Sequence, residues 1–137
     1  MVTETHQRLR EHLSSHPYFQ YLTEAQLARL LSTARVQIYT AEDIIFLEGE
    51  PATHLWWLEH GRVKIYKVNA DGNEQILHLA DSGESFNDIA VFDGGANPAN
   101  TAALTTAKIW QLPAPTIRDL IHENQAMCQA IVQMLAA

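Results

Sequence analysis

The sequence contains one cysteine, Cys128, among 137 residues, so no internal disulfide is possible. A lone thiol suits a reducing compartment. The sequence also lacks an apolar run approaching the ~20 residues of a membrane span. Its N-terminal segment is polar and has no signal-peptide core. These absences predict a cytoplasmic protein that does not associate with a membrane.

Positive charge is scarce as well. Nine Lys and Arg residues stand against sixteen Asp and Glu residues, which gives a formal net charge of −7. The basic residues are scattered, and none lies between Lys67 and Lys108. Because nucleic-acid binding needs a basic patch that displaces counterions, we expect DNA to be contacted only through a domain missing from this chain.

Signatures of catalysis are missing too. No serine stands in a Gly-x-Ser-x-Gly elbow, and no Walker-type phosphate loop is present. Cys128 lies in an apolar stretch without a histidine or asparagine that would activate it. The spacing of His54, Glu59 and His60 matches no zinc-protease motif. We therefore predict neither an enzyme nor a metal site.

The pattern of apolar and turn residues divides one predicted domain, residues 1–137, into three zones. In residues 1–34, Thr23 and Gln26 have the spacing of a capping box, and leucines follow at helical intervals. Residues 35–112 alternate short strand patterns with turns, which indicates an antiparallel barrel or sandwich. Residues 113–137 are helical again. No cap closes that last pattern before Ala137, so we expect a truncated helix.

Four glycines each end a strand at a point where a tight turn requires positive φ. They are Gly49, Gly61, Gly72 and Gly83. The pair Asp71-Gly72 is a strong hairpin signal. The glycines are expected to be structural.

The burial of several aromatic and histidine residues is also predicted. Trp56 and Trp57 are adjacent on a strand, so they point to opposite faces. We expect one to be in the core and the other to be partly exposed, to line the pocket or to touch a partner. His6, His12 and His16 are expected on the surface of the leading helix.

The order and spacing of four segments resemble the Crp/Fnr family of bacterial transcription regulators, which includes the catabolite activator protein. Residues 43–52 resemble its strand and Gly-Glu turn, residues 55–66 its Leu-Tyr-Tyr-Ile hairpin, and residues 71–77 and 81–86 its next two turns. The similarity covers roughly residues 22–135. It implies a mainly β fold with flanking helices: a double-stranded β-helix (a jelly-roll-like β-roll) with N-terminal helices and a C-terminal dimerisation helix. It also implies an effector-sensing regulatory domain.

The resemblance places a ligand pocket. In the family, a Gly-Glu-Leu triplet meets the ribose of a cyclic nucleotide, and an Arg-Ser/Thr pair holds its phosphate. Here these positions carry Asn87, Asp88 and Ile89, and then Asn100 and Thr101. Neutral Asn100 cannot supply a charge-assisted hydrogen bond worth about 1.5–3 kcal/mol. We therefore predict no binding of cyclic AMP or cyclic GMP in the family's manner. The other pocket candidates are Phe86, Leu77 and His78.

The sequence leaves the identity of the effector open. His78 lies mid-strand and is either a pocket-wall or core histidine or, as in gas-sensing members of the family, a haem ligand. The domain is thus either a regulator's sensor or, as the alternative, a haem- or other small-ligand-binding gas or redox sensor, or a stand-alone cyclic-nucleotide-binding-like module. The glycine-rich loop at Gly94-Gly95 is either a plain turn or an anion-binding nest of backbone N–H groups.

The last helix carries more apolar residues than one core face needs. This excess favours a second apolar face on the helix that contacts another molecule. In the family this helix pairs with its twin. The resemblance therefore implies a homodimer formed through Met127, Ile131, Met134 and Leu135. The alternative is a helix packed only on its own roll.

Overall fold

The computed structural model describes residues 4–137, with side chains from His6 onward. Five helices and a 3₁₀ turn (Phe19–Tyr21) flank or interrupt eight strands. The helices are α1 (Glu4–Ser14), α2 (Glu24–Thr33), α3 (Asp88–Asp93), α4 (Ala114–Glu123) and α5 (Gln125–Ala136). The strands are β1 (Arg35–Tyr39), β2 (Ile44–Phe46), β3 (His54–His60), β4 (Arg62–Val68), β5 (Glu74–Asp81), β6 (Ser85–Phe86), β7 (Asn100–Ala103) and β8 (Ala107–Pro113).

The strands form two four-stranded antiparallel sheets. Their orders are β1-β8-β3-β6 and β2-β7-β4-β5, so strands distant in sequence become neighbours. The predicted capping box forms at the start of α2, where the Thr23 side chain accepts from the Gln26 backbone N–H and Gln26 reaches back. The predicted mainly β jelly-roll with flanking helices is confirmed, and the C-terminal helix is present.

The turns between strands depend on backbone angles that favour glycine. The four predicted glycines all have positive φ, between 83° and 108°. At Gly61, which joins β3 to β4, an added Cβ would lie 2.6 Å from the carbonyl oxygen of Thr106. At Gly72 it would meet nothing within 4 Å. Glycine is therefore required twice over at position 61, by conformation and by space.

Two hydrophobic cores share strand β3. Trp56 belongs to the core inside the roll, and Trp57 belongs to the core between the roll and the helices. The two rings point to opposite faces as predicted, and Trp56 lines a cavity. Both rings are buried, so the alternative of a partly exposed ring is wrong. The reason is that the helices cover the outer face of the sheet.

The histidines of the leading helix were expected on the surface, and that expectation is wrong for His16 and partly wrong for His12. The His12 ring stacks on Trp57 with 4.4 Å between centroids, and its Nε2 lies 3.1 Å from the Ser85 hydroxyl. The Nδ1 atom of buried His16 accepts a hydrogen bond from the backbone N–H of Tyr18 at 3.3 Å. Burial lowers the pKa of both histidines to about 4.

Helix α5 begins with a cap and then packs on its own protomer. The Asn124 side chain accepts from the backbone N–H of Met127 at 2.8 Å. Met127 is 0% exposed and Ile131 is 5% exposed in the core between roll and helices. This burial corrects the prediction that these two residues face a second copy of the chain. Met134 and Leu135 are exposed, as is Val132.

Among residues 4–137, no helix is both long and apolar enough to cross a membrane.

The Gly61 geometry leads to a stability prediction. We expect Gly61→Ala to lower the free energy of unfolding by about 3 kcal/mol or more, because the methyl group clashes with backbone at a strained φ. Gly72→Ala is the matched control, since it adds only the left-handed strain of about 1–2 kcal/mol. Urea denaturation of both variants measures the difference. Equal losses would contradict the close approach at Gly61.

Candidate ligand-binding site

The site is organised by the short helix α3 and the loop that follows it. Asn87, the residue before α3, has φ 73° and ψ 20°, a left-handed conformation. Glycine adopts this conformation most easily, and asparagine is among the few other residues enriched there. The replacement of the family's glycine by Asn87 therefore preserves the backbone turn while adding an amide side chain.

The Asn87 amide anchors the loop by hydrogen bonds. Its Nδ2 donates to the backbone oxygen of His54 at 3.3 Å and to Oδ1 of Asn97 at 2.9 Å. Buried Asn97 in turn donates to the backbone oxygen of Leu47 at 3.1 Å. Asn97 thus ties the loop after α3 to the β2–β3 connection. Sequence reasoning missed this role, because the partners lie ten to fifty residues away.

Asp88 is the first residue of α3, and its carboxylate is hydrogen-bonded to a residue near the N-terminus. It accepts a hydrogen bond from the hydroxyl of Tyr18, which comes from the segment between α1 and α2. Burial raises the pKa of Asp88 above its usual range, although the bond from Tyr18 acts in the opposite direction. The carboxylate that the family offers to a ribose is therefore already bound within this protein.

Asn100 begins strand β7 and makes a defined contact of its own. Its side-chain oxygen accepts a hydrogen bond from the backbone N–H of Glu48 at 2.8 Å. The amide holds the loop after β2, and its correspondence to the family's phosphate-binding arginine stays a prediction. Asn100 therefore acts here as a structural acceptor.

Thr101, the next residue, is fully buried and points into the roll. It pairs with Ile65 of β4 and with Phe46 of β2, and both of those side chains pack against the inner core. Its Oγ1 is a buried side-chain oxygen without a hydrogen-bond partner. An unsatisfied buried hydroxyl costs about 1–3 kcal/mol, and Thr101 lines neither the cavity beside α3 nor the one inside the roll.

The remaining predicted residues are placed apart from this cluster. Phe86 is buried in the inner core, and its ring lies parallel to that of Trp56. Leu77 and His78 lie on strand β5 and are exposed. The Nε2 atom of His78 lies 2.8 Å from a carboxylate oxygen of Glu84.

A cavity of about 360 Å³ opens beside α3. Three predicted site residues, Asn87, Asp88 and Ile89, lie together in its wall. The others are Ala90, Pro98 and, from α5, Met134. The cavity therefore joins the loop region to the C-terminal helix, a juxtaposition that only the tertiary structure reveals.

The wall of this cavity carries no cationic side chain. Arg118 donates to the backbone oxygen of Val91 in α3 at 3.1 Å. Lys67 lies 3.6 Å from the carboxylate of Glu48. Both are committed to groups of the protein outside the wall.

The glycine-rich loop does not present free backbone N–H groups at its centre. The N–H of Gly94 bonds to the oxygen of Ala90 as the cap of α3. The N–H of Gly95 donates to the Asp93 carboxylate at 2.7 Å. The hypothesis of an anion-binding nest is therefore wrong, and the loop is a plain turn. Among the described residues, no three His, Cys, Asp or Glu side chains are placed to share a metal ion.

Two antiparallel sheets, with a short helix and loop beside a cavity, define the β-roll class of fold. A family profile described as "Cyclic nucleotide-binding domain" matches residues 36–124. The chain belongs to the cyclic nucleotide-binding domain family. The resemblance to Crp-type regulators is thereby confirmed.

Similar proteins include a "CRP-like cAMP-activated global transcriptional regulator" of Mycobacterium tuberculosis, 23% identical over 86% of this chain and 53% of that protein. A "cAMP-dependent protein kinase regulatory subunit" of Dictyostelium discoideum is 29% identical over 90% of this chain and 38% of that protein. The chain thus spans about half the length of the first relative and less of the second.

Among solved structures, the sensor domain of the transcriptional regulator DNR from Pseudomonas aeruginosa superposes with a TM-score of 0.90. It is 24% identical, and the match covers 98% of this chain and 90% of that one. At this identity the likeness establishes the fold alone.

The bond between Tyr18 and Asp88 leads to a prediction about stability and pH. We expect Tyr18→Phe to lower the free energy of unfolding by about 1–2 kcal/mol at neutral pH, because a half-buried carboxylate loses its donor. The bond favours the ionised form, so the variant raises the pKa of Asp88 further. The loss should therefore shrink in acid, where Asp88 is protonated in both proteins.

Chemical denaturation of Tyr18→Phe across the acidic range measures this loss. Tyr21→Phe, which removes a hydroxyl from an exposed ring, is the matched control. A loss that is the same for both variants, or that does not change with pH, would rule out the proposed bond.

Proposed function

We propose that this chain is the effector-sensing domain of a Crp/Fnr-type transcription regulator whose effector is not a standard cyclic nucleotide. Membership of the cyclic nucleotide-binding domain family supports a regulatory, non-enzymatic role. The cytoplasmic location of the protein and the kind of effector it binds stay predictions. DNA binding, in this proposal, belongs to a domain outside the chain.

The main observation behind the proposal is that Asn100, the predicted phosphate-binding position, has a neutral side chain. A cyclic nucleotide brings a negative charge, and binding it away from water requires a compensating cation. Asn100 is neutral, and its oxygen is bonded to the backbone of Glu48. The cavity wall beside α3 contributes Asp88 and no Lys or Arg. An anionic ligand in this cavity would therefore be repelled by the Asp88 carboxylate and would find no Lys or Arg to attract it.

The lining of this cavity supports a ligand of different chemistry. The cavity wall is mostly apolar, with Ile89, Pro98 and Met134 around Asp88. This arrangement fits a neutral or apolar effector that offers the protein one or two hydrogen bonds.

The cavity also supplies a route from effector to output. Met134 of α5 lies in the same wall as α3, so an effector that fills the cavity contacts both helices. A ligand shifts a conformational equilibrium only through differential contacts of this kind. In the proposal, occupancy repositions α5, and α5 transmits the change to a second copy of the chain.

The haem alternative depends on His78. That side chain is exposed on β5 and lies within hydrogen-bond distance of Glu84, so no contact in the structure favours haem ligation. A Soret band that appears on adding haem and disappears in His78→Ala would favour the alternative over our proposal.

Cyclic nucleotide binding gives the direct test. We expect calorimetry to show no sub-micromolar binding of cyclic AMP or cyclic GMP, since the missing cation weakens affinity by about one to two decades. Asn100→Arg restores the cation and should strengthen cyclic AMP binding about tenfold. Asn100→Gln, neutral and longer than asparagine, is the matched control.

Sub-micromolar binding by the unaltered protein would overturn the proposal. So would an equal gain in Asn100→Gln and Asn100→Arg, because the charge would then be irrelevant.

The proposed homodimer has its own test. Val132, Met134 and Leu135 leave an exposed apolar face near the end of α5. In a two-fold dimer each substitution acts twice. We expect Leu135→Glu to raise the dimer dissociation constant at least about tenfold by placing unpaired charges in the seam. Gln133→Glu, at an exposed polar position of the same helix, should leave it unchanged. Analytical ultracentrifugation gives the comparison, and equal effects of both variants would contradict the seam.

A further inference from the structure

The roll contains a second cavity, of about 410 Å³, that shares no lining residue with the first. Asn87 lines the first cavity and bonds to Asn97, which lines the second. The two amides therefore lie between the cavities. Apart from Asn97, the residues that matter for its chemistry are Tyr39, Phe46, Glu50, Thr53, His54, Trp56 and Gln111.

Aromatic rings form much of the wall. The centroid of Trp56 lies 5.7 Å from that of Phe46 and 5.5 Å from that of His54. Tyr39, at the end of β1, adds a third benzenoid ring. Faces of such rings carry partial negative charge and attract cations within about 6 Å, with tryptophan the strongest.

Most polar groups of the wall are already bonded within the protein. Nε2 of Gln111 lies 3.3 Å from the Tyr39 hydroxyl, to which it donates. Asn97 uses its amide N–H and its amide oxygen. The Thr53 hydroxyl and Nδ1 of His54 bond to each other at 2.8 Å. These groups offer a ligand few free donors.

The Thr53–His54 bond uses one of that pair's two donor hydrogens, and the other side-chain oxygens that remain unbonded in the wall are acceptors. Within the described part of the chain, the Glu50 carboxylate has neither an ion pair nor a hydrogen bond, although it lies in the cavity wall. The amide oxygen of Gln111 is free in the same way, since its recorded bonds are made by Nε2. An ionised carboxylate only accepts hydrogen bonds, so its partner has to be a donor.

No positive charge of the protein competes for this carboxylate inside the cavity. The wall contains no Lys or Arg. Burial lowers the pKa of His54, which keeps that ring neutral near physiological pH. The local field is therefore negative.

We propose that the second cavity binds a small organic ammonium ion, its N–H groups on the Glu50 carboxylate and its apolar body against Trp56 and Phe46. A neutral sugar would also stack on aromatic rings, but it would gain no charge attraction from the Glu50 carboxylate. The wall favours the cation. This inference is independent of the effector proposed for the first cavity.

Benzylamine is a suitable probe, and benzyl alcohol is its neutral counterpart of nearly equal shape. We expect calorimetry and the indole N–H shift of Trp56 to report binding of benzylamine and at least about fivefold weaker binding of benzyl alcohol. Glu50→Gln should weaken benzylamine binding by a similar factor and leave benzyl alcohol unaffected. Glu48→Gln is the matched control, since Glu48 lies two residues away in the same connection but outside the wall.

Both carboxylates are exposed, so neither variant is expected to disturb folding, and thermal unfolding checks this. The proposal is overturned if benzylamine does not bind, if benzyl alcohol binds equally well, or if Glu50→Gln and Glu48→Gln behave alike. Cyclic AMP titration of the same variants reports on the first cavity separately.

Discussion

The burial of both faces of strand β3 is the constraint on which the rest of this structure depends. Residues 55–58 are all buried, Trp56 toward the inside of the roll and Trp57 toward the helices. A strand of an antiparallel sheet commonly leaves one face to solvent. Here α1 covers the second face, and His12 stacks on Trp57 to complete the contact. The helices are therefore part of the folded unit and take part in positioning the site.

The loop region at α3 shows how a fold can keep a backbone while its chemistry changes. Asn87 preserves a left-handed turn, and Asn100 keeps its place at the start of β7. Both amides now bond within the protein, one to Asn97 and the other to the Glu48 backbone. Asp88 likewise has Tyr18 as a partner. These three side chains are hydrogen-bonded within the protein, whereas the buried Thr101 hydroxyl has no partner.

The two cavities differ in the kind of molecule they fit. The cavity beside α3 is mostly apolar and touches α5 through Met134, which suits an effector that alters helix position. The second cavity is aromatic and contains the unpaired Glu50 carboxylate and no Lys or Arg, which suits a cation. Because an Asn87–Asn97 bond lies between them, a ligand in one cavity contacts a residue whose partner lines the other.

Patterns local in sequence determined much of the fold. The glycines at 49, 61, 72 and 83 could be predicted to have positive φ, since each lies in a tight turn after a strand. The capping box of α2 and the β-roll itself follow from spacing in the same way. A neutral phosphate-binding position at Asn100 was also readable from the sequence. These features depend on neighbours a few residues apart or on the order of strands.

Other features were decided only by the tertiary structure. His16 could not be recognised as buried, nor Met127 and Ile131 as core residues of their own protomer, because helical periodicity marks an apolar face without saying what covers it. The pairing of Tyr18 with Asp88 joins residues 70 positions apart, and that of Asn87 with Asn97 forms only when the loop closes. The sequence by itself determined the roll, its turns and the neutral side chain at position 100. Packing across distant segments decided which polar groups are satisfied and which still need a ligand.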